Sequence, residues 1–215
     1  MKFLTTATLN WFGDDCCDVK YLDEWNSRRV NYRPAQARDA AWYRDEYEVE
    51  LGRDSGDRLF RIAADYLMRY QFYPDDVMSH YGDFDLWQRW LQVGDRIVQR
   101  IHVLTLFGVA ILDVIGLTEV RSVTLEPRCY GFTYVTVEPH VAEGEWSATV
   151  DWRDTGEVVL NVRSVSRPVP QEPARNHAFI RRFQEEAHRR GIDYFKEVVL
   201  AEFGRAVPQV QGDTP

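Results

Sequence analysis

Cysteine is scarce: three in 215 residues, an adjacent pair at Cys16 and Cys17 and a distant Cys129. That odd number at that spacing offers neither a disulfide framework nor a paired CxxC metal site. A reducing compartment, by default the cytoplasm, is the expected location. Long apolar runs are missing too. The best stretch, residues 105–117, falls short of the roughly 18 apolar residues of a membrane span and contains Asp113. The opening residues are interrupted by Asn10, Asp14 and Asp15 before a signal-peptide core could form. Excess positive charge is absent as well: 34 Asp and Glu stand against 26 Lys and Arg, for a net charge of -8. The expectation is therefore no nucleic-acid partner and no membrane attachment, since both normally need a basic field. No P-loop, GxGxxG, GxSxG elbow or HExxH occurs, so nucleotide-dependent, triad-hydrolase and zincin chemistry lose their usual carriers. No cofactor and no metal are expected.

What remains is a chain of ordinary globular composition, 45% hydrophobic and 28% charged, long enough to bury roughly 70% of its extended surface. Residues 11–46 are crowded with charge and aromatics and show no sustained period. They read as an irregular arm packed down at Trp11, Tyr21, Trp25 and Trp42, with a short extended piece over 47–51. Ser55 is placed to cap a helix whose Leu59, Ala63, Tyr66, Leu67 and Tyr70 form one stripe, ended by Pro74. A further short helix is expected around Phe84 to Leu91.

From residue 96 to 167, Val, Ile and Thr become dense and turns recur at Gly108, Gly116, Pro127, Gly144 and Gly156. Trp146, Ala148, Val150 and Trp152 alternate with polar residues, as on an antiparallel sheet with one wet face. Asp154-Thr155-Gly156 then turns the chain into Val158, Leu160 and Val162, which predicts a hairpin. After the link PVPQEP, Ile180, Phe183, Ala187, Gly191, Tyr194 and Val198 recur at helical spacing, reinforced by Phe179, Phe195 and Val199. Gly191 reads either as a close approach of this helix to the sheet or as a break into two helices. The order is α+β: one helix, five or six antiparallel strands, then a long C-terminal helix. A curved sheet wrapped around that helix satisfies it. The expected division is an N-terminal arm at 1–50, a domain at 51–204 and a flexible tail at 205–215.

Several blocks resemble the DUF1990 family, also called UPF0548. Leu51-Gly52-Arg53 stands where the family has LGRG. Residues 130–146, YGFTYVTVEPHVAEGEW, follow a family pattern near FxYGTLxGHxxxGEE, with Tyr134, Thr136, His140, Gly144 and Glu145 matching. Val135 and Pro139 replace family glycines, and Trp146 replaces the second glutamate. Ser164 to Pro168 is similar to FSRP, and Arg182-Phe183-Gln184 to an RxxQ-type helix signature. The resemblance implies a helix-grip fold of the Bet v 1 and START type, whose curved sheet and long helix enclose an apolar cavity.

Candidate site residues follow from both readings. His140, with Glu138, Glu143 and Glu145 nearby, places an imidazole beside carboxylates, so His140 and Glu145 are candidate acid–base residues or ligand contacts. Tyr134 and Trp146 are candidates to line an apolar pocket, with the Tyr134 hydroxyl as a polar handle, or simply to form core. Arg167 could offer its planar fork to an acidic ligand group at a cavity mouth, or pair with Glu145 or another carboxylate. His102 is expected to face solvent, as are His177 and His188. The leading expectation is a binding protein for a small apolar or amphipathic molecule, in a cavity of roughly several hundred Å³. The alternatives are a cyclase- or hydratase-like enzyme using a His/Glu pair, and a protein-interaction module or homodimer that uses the arm.

Overall fold

The computed structural model describes residues 8–11, 18–37, 39–106 and 109–205. Their strands are β1 (Thr8–Trp11), β2 (Tyr43–Arg53), β3 (Met78–Tyr81), β4 (Arg96–Leu106), β5 (Val109–Glu126), β6 (Cys129–Val137), β7 (Ala142–Trp152) and β8 (Glu157–Pro168). The helices are α1 (Asp18–Glu24), α2 (Arg58–Met68), α3 (Asp83–Leu86) and α4 (Ala174–Arg205). All strands join one antiparallel sheet in the order β2-β8-β7-β6-β5-β4-β3, with β1 added beside β5. The sheet curves around α4, a helix-grip arrangement of the α+β class.

The predicted hairpin is β7–β8. Gly156 supplies the positive φ of 83° that its turn requires, and Trp146 pairs with Ser164, Ala148 with Val162 and Val150 with Leu160. One face of this pair is dry: Ala148, Val150, Val158, Leu160 and Val162 are all buried. The sheet is larger than the five or six strands expected. The short extended piece at 47–51 is the middle of β2, which pairs with β8 from Tyr43 to Arg53. Part of the stretch read as arm is therefore an edge of the sheet.

Helix α2 buries Leu59, Phe60, Ala63, Ala64, Leu67 and Met68. Its entry is held by Asp54, not Ser55: the carboxylate accepts the N–H of Leu59 at 2.9 Å and of Gly56 at 3.0 Å. Helix α3 ends at Leu86, sooner than expected, and the following Trp87 stands 74% exposed.

Helix α4 continues through Gly191 without a break. The glycine does serve a close approach, but to the turn after α2 and not to the sheet. A Cβ there would lie 2.5 Å from Phe72 Cε1 and 2.9 Å from Tyr73 Cδ1. The buried crest is rotated relative to the predicted stripe. It runs through Ile180, Gly191, Phe195 and Val199, all part of the predicted stripe or its reinforcement, and through His188 and Ile192, which are not, while Phe183, Ala187, Tyr194 and Val198 flank it half-buried. Arg181 is drawn down onto β2, where it holds Asp45.

The arm covers the convex face. Trp25 of the turn after α1 packs with Val98, Ile115, Leu117 and Val137, and Tyr32 with Trp42 packs on Val135. Arg96 fixes the arm by donating to the main-chain oxygens of Trp25 at 2.7 Å and Asn26 at 2.6 Å. Among the described residues, the arm leaves Val19 as its only exposed large hydrophobic. The Trp11 side chain and the tail beyond Arg205 lie outside the described residues. No helix among those described is long and apolar enough to cross a membrane.

Candidate functional site

The concave face and α4 do not close on each other along their whole length. Between them lies a cavity of about 120 Å³, walled by Tyr134 and Trp146 from the sheet, Gln99 from β4, Gln184 and His188 from α4, and His140 from the β6–β7 turn. An apolar side lobe of about 70 Å³ extends past Ile101, Val114 and Ile180. The space is smaller than the several hundred Å³ expected because aromatic rings fill the curve. Tyr134 stacks on Trp146 with centroids 5.3 Å apart, and Phe72 meets Trp146 edge-on at 5.1 Å.

Of the residues singled out in the sequence, Tyr134, His140 and Trp146 meet at this cavity. The Tyr134 ring is part of the wall, but its hydroxyl is already engaged with Gln99, Tyr70 and Tyr73. Gln99 Nε2 also donates to the Tyr70 hydroxyl at 2.5 Å. Burial raises the pKa of all three phenols, so the network stays neutral.

Glu145 also borders the cavity. Strand alternation sends its carboxylate to the convex face, where the Tyr32 hydroxyl is bonded to it. Burial, and then Glu145, push that phenol up to about 12. His140 and Glu145 are therefore not brought together as an acid–base pair. Arg167 is not at the cavity either. Its Nε donates to Glu143 Oε1 at 2.5 Å, and its guanidinium lies 4.4 Å above the Trp42 ring on the convex side. The second of its two readings, an anchor to a carboxylate, describes this geometry, with Glu143 as the partner. His102 is bonded to the buried Asp113 at 2.7 Å and does not face open solvent.

His140 rests directly on Gly116 of β5. A Cβ at that glycine would fall 2.6 Å from His140 Cδ2, so the imidazole needs the missing side chain. Its Nδ1 lies 2.8 Å from the Ala142 oxygen and 3.0 Å from the Ala142 nitrogen. The ring keeps some surface toward the cavities beside it, yet burial pushes its pKa down to about 4, against a smaller opposing effect of the Ala142 main chain. At neutral pH it is an uncharged wall.

His188 is the residue the sequence reading missed. It is buried in α4, and burial, opposed by Asp45, takes its pKa down to about 4. Its Nδ1 stands 3.7 Å from Asp45 Oδ2, beyond hydrogen-bond reach. Asp45 is committed elsewhere, accepting from Arg181 at 2.7 and 2.6 Å and from Ser164 Oγ at 3.0 Å. Two residues of the cavity wall carry a buried side-chain nitrogen without a hydrogen-bond partner among the described residues: His188 at Nδ1 and Trp146 at Nε1. Each such buried orphan costs about 1–3 kcal/mol, which native proteins seldom leave unanswered. No grouping of metal-ligating side chains occurs among the described residues.

Comparison with known proteins agrees with this architecture. A hypothetical protein from Helicobacter pylori, jhp0584, superposes with a TM-score of 0.50 at 13% identity, covering 80% of this chain and 98% of that one. That likeness shows the fold alone. The crystal structure of Ara h 8.0201 aligns with a TM-score of 0.45 at 10% identity, covering 74% and 99% of the two chains. No curated protein matches the sequence. Residues 29–193 match the domain of unknown function DUF1990, a span that takes in α2, every strand from β2 to β8 and most of α4, and the chain belongs to that family.

Proposed function

We propose that this protein binds a compact, largely apolar molecule in the cavity between the sheet and α4. The observation that carries the reading is an aromatic-walled space one of whose wall residues, Trp146, has an indole N–H without a partner among the described residues. An acceptor on the ligand, a hydroxyl, carbonyl or ether oxygen, satisfies that donor. A volume of about 120 Å³ suits one aromatic ring or a short branched chain, since an apolar cavity of roughly 150 Å³ admits benzene. A steroid or a lipid chain would need the rings of Phe72, Tyr134 and Trp146 to repack. With both histidines neutral and the Glu145 carboxylate turned away, the wall carries no formal charge. The portion of the ligand held inside is therefore uncharged, because a bare ion in such a site would pay its desolvation without a partner. The cysteine usage supports the cytoplasm as the place where this binding occurs.

Native mass spectrometry of protein purified from its own host, followed by denaturing extraction, tests the proposal. The expected result is a released molecule of single-ring or short-chain size. Protein that carries no bound mass, or one that releases a long-chain lipid, contradicts it.

A further inference from the structure

A second, larger cavity of about 640 Å³ lies on the other side of His140, between the arm and the turns at 138–143 and 169–171. Its lining is polar where the inner wall is aromatic: Arg28, Asn31, Arg33 and Gln36 from the arm face Gln171 and the shared His140. The arm is held firmly here. Val30 bridges Val137, the Asn31 N–H donates to the Thr136 oxygen at 3.1 Å, the Glu138 N–H donates to the Arg29 oxygen at 2.9 Å, and Arg96 Nη2 donates to the Arg28 oxygen at 3.1 Å. The main chain that displays Arg28 and Arg33 is thus fixed before any ligand arrives.

Charge and hydrogen-bond polarity point the same way. Many arginines of the fold hold carboxylates, as Arg89 holds Asp95 and Arg181 holds Asp45, and others, such as Arg44 and Arg58, are spent on main-chain oxygens. Arg28 and Arg33 have no carboxylate within 4.0 Å among the described residues, in a chain with more acidic than basic groups. Of the two carboxylates lining the cleft, Glu143 is taken by Arg167, which leaves two guanidiniums against Glu138. The side-chain amides are oriented as donors. Asn31 Oδ1 accepts the Thr136 hydroxyl and Gln36 Oε1 accepts the Arg33 N–H at 3.1 Å, so both amides have their NH₂ groups left to give.

We propose that this outer cleft is an oxyanion site, taking a carboxylate or phosphate group between the Arg28 and Arg33 guanidiniums and the Asn31 and Gln36 amides. Planar guanidinium forks match either anion with paired, charge-assisted bonds. The oxyanion comes either as a free small anion or as the head of an amphipathic molecule whose apolar part sits beyond His140. The site itself stands without the inner cavity.

Amide NMR titrations at constant ionic strength test it, with inorganic phosphate and with 4-phenylbutyrate as probes. Saturable shifts confined to residues 28–36 and 138–143 are expected, with affinity falling at least tenfold in the double variant Arg28→Gln, Arg33→Gln. Gln36→Glu, a single change at an exposed position, should give a similar loss by repulsion. Phenylbutyrate that also moves the Trp146 indole identifies the anion as the head of the inner ligand, and one that moves only the cleft amides identifies a separate anion. Absence of saturable shifts with both probes, or shifts unchanged in these variants, overturns the oxyanion site. Neutral phenol reports on the inner cavity alone, so its binding or failure is read independently.

Discussion

The two halves of α4 lie against the same sheet and do different things. Beyond Gly191 the helix buries Ile192, Phe195 and Val199 in one continuous apolar cluster with Leu59, Leu67, Val158 and Leu160. Before Gly191 it presents Phe183, Gln184 and His188 to a cavity, with Arg181 clamped to Asp45 beside it. The dry half resembles any close-packed interior. The other half borders a hole whose wall includes two neutral histidines and residues with unsatisfied polar atoms, features that weaken a fold unless a ligand meets them. One half stabilises the protein and the other gives it something to hold.

Truncation should separate the halves most sharply. Phe195 is fully buried, and Phe195→Ala should cost about 3–5 kcal/mol, from lost transfer energy and the cavity left behind. Phe183 borders a space that already exists and is half-buried, so Phe183→Ala should cost about 1 kcal/mol. Urea midpoints measure both, and equal losses would erase the distinction between the halves.

Acid should act on the cavity half next. His140 and His188 are each held down to about 4 by burial, against an ordinary value near 6.5 in the unfolded chain. Below about pH 6.5 the unfolded chain takes up protons that the folded one refuses. Stability is thus fully present above that pH and drains as pH falls toward 4, by roughly 3 kcal/mol per histidine. His140→Asn and His188→Asn should each flatten this acid limb relative to the parent, measured as urea midpoints between about pH 7 and pH 4.5. Limbs as steep as the parent's would mean that neither imidazole is held neutral in the fold.

Much of this was legible in the sequence, for identifiable reasons. Strict alternation from Trp146 to Trp152 and a glycine turn define the β7–β8 hairpin, and the same alternation puts Phe132, Tyr134 and Trp146 on one face. Alternation also decides Glu145: neighbours on a strand face opposite ways, so its carboxylate and the Trp146 ring cannot both line one cavity. His188 escaped because helical stripes are traced through apolar residues. The spacing of four from Ile180 through half-buried Gln184 and His188 to Ile192 is just as regular, and three of its four residues are buried. The Arg181–Asp45 pair, which anchors the cavity half of α4, joins residues 136 positions apart. No local pattern carries that contact, only the pairing of β2 with β8 and the docking of the helix. The small size of the cavity depends on how the aromatic rings share the curve, a property of packing rather than of period.

The most direct measurement follows the indole N–H of Trp146 by NMR during titration with phenol, with Trp146→Phe fixing the assignment. If the cavity half receives an acceptor-bearing compact ligand, that resonance shifts saturably while those of Trp42 and Trp152 stay in place. A Trp146 resonance indifferent to phenol, or one that moves only in step with all the other indoles, contradicts the account.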